Sequence, residues 1–400
     1  MVGAGMTRSR ALAFIFAALV LGVAPVTAAG AQNSSGWSVQ PTPNPPGATN
    51  ARLEAVSCAQ PRLCEAVGDY TTGTGYLPLA ERWNGTAWAL QPIPAVPGAR
   101  NNFLSGLSCP AARRCVATGF SVTTADPNGQ ALVEAWNGST WAIQRTPPLG
   151  KGGALLDAVS CTAPGACMAV GGFAKPAPTV LYQPLAEQWN GSAWTVVPVP
   201  NPHADNGSSL TSVSCTAASA CMAGGDFDFA DIAQSVFAMR WNGTAWAMQH
   251  QLNPGSQMQD EDNAVSCTSA TACTSVGFWV GFSGQGPLAE AGNGSTWARE
   301  QVAPPRGNRL ATLNGVSCPA AAVCVAAGDW SPVAGGGDPT NSLAERWNGS
   351  TWAVQPTPNP AGSVFTTINA VDCTSAAQCV AVGGFATSTA GLTLAERYSG

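Results

Sequence analysis

Leu53–Cys58, Leu63–Asp69, Leu77–Trp83 and Trp88–Ile93 are short apolar stretches separated by turns, and they predict four strands. The first ends at a Cys, the second leaves another Cys, the third runs through Leu-Ala-Glu and the fourth begins at a Trp. Asn84-Gly85, between the last two, is a tight-hairpin signal, because both residues tolerate positive φ. Apolar residues fall on both faces of these strands, which suits sheets covered by a neighbour on either side.

The pattern returns along the chain. Cysteines occur only as Cys-x5-Cys pairs: Cys58 and Cys64, Cys109 and Cys115, Cys161 and Cys167, Cys215 and Cys221, Cys267 and Cys273, Cys318 and Cys324, and Cys373 and Cys379, a period of 51 to 55 residues. Four residues after each second Cys stands a Gly, from Gly68 to Gly383, and Trp pairs five apart recur at 83/88, 136/141, 189/194, 241/246 and 347/352. In the fifth unit Gly292 replaces the first Trp and leaves Trp297 alone. Four-stranded units at this period predict an all-β, seven-bladed propeller. Ring closure follows from the ends. Trp37-Ser38-Val39-Gln40-Pro41-Thr42-Pro43 matches Trp352-Ala353-Val354-Gln355-Pro356-Thr357-Pro358, a fourth strand without its first three, whereas the last unit stops at a third strand, Ala395-Glu396-Arg397-Tyr398. The N-terminal strand is therefore expected to close the seventh blade.

The Gly171-Gly172 and Gly383-Gly384 doublets, with aromatic-turn-Trp units and Pro-rich exits such as Trp88-Ala89-Leu90-Gln91-Pro92-Ile93-Pro94, resemble kelch repeats and galactose-oxidase-type propellers. Asn-Gly-Ser-Thr-Trp at 137–141 resembles an Asp-box hairpin without its Asp, and the Val-Ser-Cys, Cys-x-Ala-Val-Gly and Trp-Asn-Gly combination is similar to secreted repeat proteins of GC-rich bacteria. The galactose-oxidase likeness would imply a copper site of two His, two Tyr and a Tyr-linked Cys. With His203 and His250 outside any ligand spacing, and every Cys already paired within its repeat, no such site is expected.

Composition narrows the partners. Charged residues make up 10% of the chain, the formal net charge is −5, and the only lysines are Lys151 and Lys175, so nucleic acid is not an expected ligand. Residues 1–31, with Arg8 and Arg10, the apolar run Ala11 to Ala24 and Ala29-Gly30-Ala31, read as a secretory signal, leaving 32–400 as one propeller domain. The apolar run is shorter than a spanning helix needs, so no membrane span is expected. A secreted or cell-wall-associated, monomeric protein follows.

An even number of cysteines at one spacing in a secreted chain favours disulfides within each Cys-x5-Cys unit over metal ligation, each closing a small loop for roughly 2 kcal/mol. Glu81, Glu134, Glu187, Glu290, Glu345 and Glu396 recur on the third strand, with Met239 breaking the series. Equivalent carboxylates do not make an acid/base pair. They are expected to sit between blades, bonded to backbone or paired with Arg.

Length varies only between the conserved Gly and the Glu position, from 13 to 17 residues, so the loop between strands two and three carries the variation. By strand parity it shares a face with the blade-to-blade connection, and that face is the candidate binding surface. Two clusters of acids, Asp226, Asp228 and Asp231, and Asp260, Glu261 and Asp262, fall there, as Ca²⁺ ligands or as solvated charge. Tyr70, Phe120, Phe173, Phe227, Trp279, Trp330 and Phe385 stand at the loop entry, as packing between blades or as a ring round the channel mouth. Trp279 and Trp330, in small flexible loops, are the expected open indoles, and Tyr70, Phe227, Asp69 and Asp329 complete the candidate ligand set. A noncatalytic module for an extracellular glycan or protein is the expected function, with a propeller hydrolase, lyase or oxidase as the alternative and no catalytic set in the motifs.

Overall fold

Each repeat folds into one antiparallel four-stranded sheet, so seven sheets are formed by the described residues, and no helix occurs among them. The computed structural model describes residues 36–150, 152–174, 181–202, 207–229, 233–249, 259–281, 284–307, 310–332 and 340–400. The expected leader, both histidines, Asp231 and the side chain of Asp228 lie outside the described residues. We letter the strands of a blade a to d. In blade 1 they are Asn50–Gln60, Leu63–Thr71, Tyr76–Trp83 and Trp88–Leu90, paired in that order. Strands a of successive blades touch round the ring, and that of blade 7, Phe365–Ser375, touches that of blade 1. Strand d is outermost: its Trp is buried, and the aliphatic residue two positions on, such as Leu90, Ile143 or Val354, is exposed.

Blade 7 closes as expected. Gly36–Gln40 is its strand d and pairs antiparallel with strand c, Gly391–Ser399, in the register Trp37↔Tyr398 and Val39↔Glu396. The core lies between blades. Leu53 of strand a and Leu79 of strand c pack with Trp83 and Trp88 against Val380 and Val382 of blade 7, and equivalent clusters recur round the ring.

Two polar stitches hold adjacent strands a together. Each strand a carries a bulge, in blade 6 between Leu313 and Gly315, which leaves Asn314 unpaired in the ladder. Asn314 Nδ2 donates to the Ile368 carbonyl of blade 7 at 2.9 Å, Asn369 Nδ2 to the Leu53 carbonyl at 2.9 Å and Asn263 Nδ2 to the Leu313 carbonyl at 3.0 Å. Carbonyls facing a bulge would otherwise be buried without a donor. The second stitch explains the Ser of Val-Ser-Cys. Ser57 Oγ accepts the Cys109 N–H of the next blade at 3.0 Å, and Ser108, Ser160, Ser214, Ser266 and Ser317 repeat the bond. At the seam Asp372 replaces Ser and accepts the Cys58 N–H at 2.6 Å.

All seven Cys-x5-Cys pairs are disulfides across the a–b hairpin, as the spacing predicts. Cys58 is bonded to Cys64, Cys109 to Cys115, Cys161 to Cys167 and Cys215 to Cys221. Cys267 is bonded to Cys273, Cys318 to Cys324 and Cys373 to Cys379. Seven disulfides fit an oxidising, extracellular setting. Non-reducing peptide mapping is expected to recover seven intra-repeat pairs and no blade-to-blade linkage.

The strand c glutamates differ from expectation. They lie between blades, but Glu134, Glu187 and Glu345 are fully buried with both carboxyl oxygens lacking a hydrogen-bond partner, neither backbone-bonded nor Arg-paired. Burial pushes each well above the usual carboxylate range, to about 8, about 7 and about 8.

Candidate functional site: a cleft in blade 5

The six residues in register with Tyr70 on strand b divide sharply. Tyr70, Phe173, Trp330 and Phe385 are half-buried against hydrophobic clusters between blades, and Phe227 is buried in one, 6.2 Å from Phe237. Trp279 belongs to none of the clusters formed by the described residues. Phe120 is out of register: Ser121 lies opposite Asn102, where Tyr70 lies opposite Ala51, so alternation turns Phe120 to the other face, against Phe103 at 4.9 Å. Tyr70, Phe173, Phe227, Trp330 and Phe385 therefore pack at blade interfaces.

The accompanying carboxylates are engaged. Asp69 is buried, and Arg52 donates to its Oδ1 at 3.3 Å. Burial pushes Asp69 up to about 7 against the opposing pull of Arg52. Asp329 accepts from Thr367 Oγ1 at 2.9 Å and from Asn314 Nδ2 at 3.2 Å, and burial pushes it to about 6. Both carboxylates serve the packing around them. Asp260 and Asp262 lie not in a connection but in strand a of blade 5, Gln259–Cys267, and both are buried. Asp226 is in strand b of blade 4, opposite Ser209. Among the described residues no three His, Cys, Asp or Glu side chains converge on a metal-sized space.

Trp279 instead walls an open cleft of about 600 Å³ in blade 5, bounded by Gly284–Pro287 at the start of strand c and by Arg299–Val302 and Pro304 as the chain leaves strand d, Trp297–Arg299. It lies on the variable-loop face. The exit segment there is not pinned as those of blades 6 and 7 are. In blade 6, Thr357 Oγ1 donates to the Ser342 carbonyl at 2.8 Å, and Asn359 Oδ1 accepts the Ser342 N–H at 3.0 Å, pinning the exit segment to strand c. In blade 7, Thr42 and Asn44 make the same pair of bonds to Thr393, each at 3.0 Å. Blade 5 has Val302 and Pro304 at these positions and blade 1 has Ile93 and Ala95, and none of these side chains has a polar atom to offer.

Other departures of the fifth repeat gather at the same place. Gly286 stands where the other blades have Leu77, Gln130, Gln183, Ser235, Asn341 and Leu392, and a Cβ there would come within 2.7 Å of the Trp279 ring, so the indole packs closely over a glycine. Arg299 replaces the exposed aliphatic residue of strand d, and its guanidinium carbon lies 5.7 Å from the Trp279 ring centroid, a cation–π contact. Glu300 replaces the Gln seen at Gln91 and Gln144. Those amides accept the indole N–H of Trp141 and Trp194, as Glu300 Oε2 accepts that of Trp352 at 2.6 Å. Burial raises Glu300, partly offset by that bond. Burial likewise pushes Asp260 up to about 6, against the attraction of Arg299.

No protein-family model matches the chain, and no curated protein is similar to it in sequence. Solved structures are similar in fold. One described as YCF48 bound to D1 peptide is 12% identical, covers 92% of this chain and 99% of its own, and has a TM-score of 0.54. An ulvan lyase of polysaccharide lyase family PL25, bound to -[GlcA(1-4)Rha3S]-, is 9% identical over 87% of this chain and 97% of its own, at a TM-score of 0.53. The fucose-specific lectin from Aleuria aurantia is 13% identical over 79% and 100%, at 0.42. At these identities the first two show a shared propeller architecture and nothing finer.

Proposed function

We propose that this protein is a noncatalytic extracellular binding module and that the blade 5 cleft takes its ligand, a saccharide. One observation carries the reading: Gly286 and Arg299, each unlike its counterpart in the other six repeats, meet at one cleft walled by a half-buried indole. A purely structural repeat has no reason to shrink a strand c residue to glycine and turn an exposed aliphatic position into arginine at the same place. Indole edges and faces pack on sugar C–H groups, and Gln301 supplies an amide for hydroxyls beside Gln285, whose Nε2 donates to Thr312 Oγ1 at 3.0 Å and whose carbonyl oxygen remains to accept. Neighbouring propellers are described with a peptide and with a polysaccharide bound, so a ligand on this architecture has precedent.

Hydrolysis would require two carboxyls held in different protonation states on either side of the scissile bond. Glu300 has one oxygen taken by the Trp352 indole, and buried Asp260 does not line the cleft. Binding without turnover is the expected result.

Calorimetric titration with an oligosaccharide panel tests this. Trp279→Ala is expected to weaken binding about tenfold, or ~1.4 kcal/mol, with little change in melting temperature. Trp83→Ala, which removes a buried ring 5.9 Å from Trp88, is expected to cost ~3 kcal/mol or more of stability. Reducing-sugar release from any bound oligosaccharide would overturn the noncatalytic reading. Wild-type affinity in Trp279→Ala would overturn the site.

A further inference from the structure

We infer that the cleft selects an acidic saccharide, one carrying a carboxylate or a sulfate ester, and that Arg299 is the residue that reads the anion. This rests on the assignment of the cleft as the binding site and goes further, to the class of ligand.

Arg299 occupies a position that is aliphatic on every other outer strand: Val39, Leu90, Ile143, Val196, Met248 and Val354. An exposed apolar residue there is compatible with the fold, so the fold does not demand a cation. Arg299 also forms no ion pair within 4.0 Å among the described residues, in contrast to Arg82, which reaches Glu65 at 2.7 Å, and Arg52, which reaches Glu54 at 2.7 Å. Its one close partner is the Trp279 ring at 5.7 Å. A cation–π contact restrains the guanidinium without using its N–H groups, which lowers the ordering cost of a bidentate grip on a planar or tetrahedral oxyanion.

The acids nearby do not cancel this charge. Glu300 is directed to the Trp352 indole at 2.6 Å, toward blade 6. Asp260, buried in strand a, attracts Arg299 from beyond ion-pair distance and so biases the guanidinium without occupying it. In a chain of net charge −5, an unpaired cation at the wall of a cleft is the feature a neutral sugar has no use for. Amides alone would serve its hydroxyls.

The test compares three probes of matched length on the whole protein by calorimetry: a neutral galactose oligomer, an oligogalacturonate and a sulfated galactose oligomer. Wild type is expected to bind an acidic probe at least tenfold tighter than the neutral one. Raising salt from 50 to 500 mM should weaken only the acidic complex, and whichever acidic arm binds tighter identifies carboxylate or sulfate as the group read. Arg299→Gln should lower affinity for the acidic probe by at least tenfold more than for the neutral one, with melting unchanged, and Arg299→Lys, which keeps charge but not the planar fork, should recover part of the preference. Equal affinity for all three probes, or an unchanged preference in Arg299→Gln, would overturn the assignment of Arg299. If Trp279→Ala still weakened binding in that case, the cleft itself would stand. Loss of the effect of both variants would overturn cleft and ligand class together.

Discussion

Removing residues 36–45 is expected to unfasten the ring, lowering the melting temperature by more than ~10 °C and producing oligomers. Gly36–Gln40 is the outer strand of blade 7, and its ladder with strand c joins the beginning of the described chain to its end. Without it Gly391–Ser399 becomes an edge strand presenting a row of unpaired N–H and C=O groups to solvent. Trp37, 7% exposed and 5.6 Å from Tyr398, would leave with it, and burial of such a ring stabilises by about 3 kcal/mol. The bonds from Thr42 and Asn44 to Thr393 go too. Losses of this size are a large part of a domain's stability, commonly about 5–15 kcal/mol. Differential scanning fluorimetry and size-exclusion chromatography check both halves of the expectation. A monomeric truncation melting within about 2 °C of the full chain would show that closure depends on the a-strand stitches instead, among them the bond from the Cys58 N–H to Asp372.

Repetition made the fold legible. Seven copies of a Cys pair, a Gly and a Trp hairpin define a blade whatever occupies the positions between, and the unmatched fourth strand at Trp37 locates the seam. What repetition shows least well is a site built from exceptions to it. The cleft depends on Gly286 lacking a Cβ and on Arg299 standing where Val354 stands. Aligning the fifth repeat residue by residue with the sixth contains that signal, but Gly292 was the only irregularity conspicuous enough to single out. Aromatic content pointed to Trp279 and equally to Trp330, Tyr70 and Phe227, because periodicity places a side chain on a face without showing whether the next blade covers it. Phe120 shows the limit of counting from a landmark. One residue of offset after Gly119 moves a side chain to the opposite face of the sheet. Likewise, the turns resembling Asp boxes need no Asp, since Asn137 Oδ1 accepts the N–H groups of Ser139 and Thr140 and closes the hairpin itself.

The buried glutamates give the second large expectation, a protein that is more stable at pH 5 than at pH 9. Desolvation holds Glu81, Glu134, Glu345 and Glu396 at about 8 and Glu187 at about 7, whereas an unfolded chain has Glu near ~4.3. Between those values the folded state binds more protons than the unfolded one, so stability falls as pH rises through the window and levels off above it. Thr393 faces Glu81 and Ser342 faces Glu396 from the preceding blade, and neither hydroxyl supplies a countercharge. A tenfold weakening of a carboxyl's acidity on folding corresponds to about 1.4 kcal/mol, so even that much at each of these glutamates would sum to roughly 7 kcal/mol, comparable with the whole stability of a domain. Met239 provides the control, because it fills the equivalent position of blade 4 fully buried and without a titrating group. Glu345→Met is therefore expected to leave melting at pH 5 nearly unchanged, to raise it at pH 9 and to flatten the pH profile by one carboxyl's share. A wild-type melting temperature that is flat or rising from pH 5 to pH 9 would mean that these carboxyls ionise inside the fold at little cost. A Glu345→Met variant less stable than wild type at pH 9 would mean that the charged form is held by a partner, and the blade interface would then be polar by design.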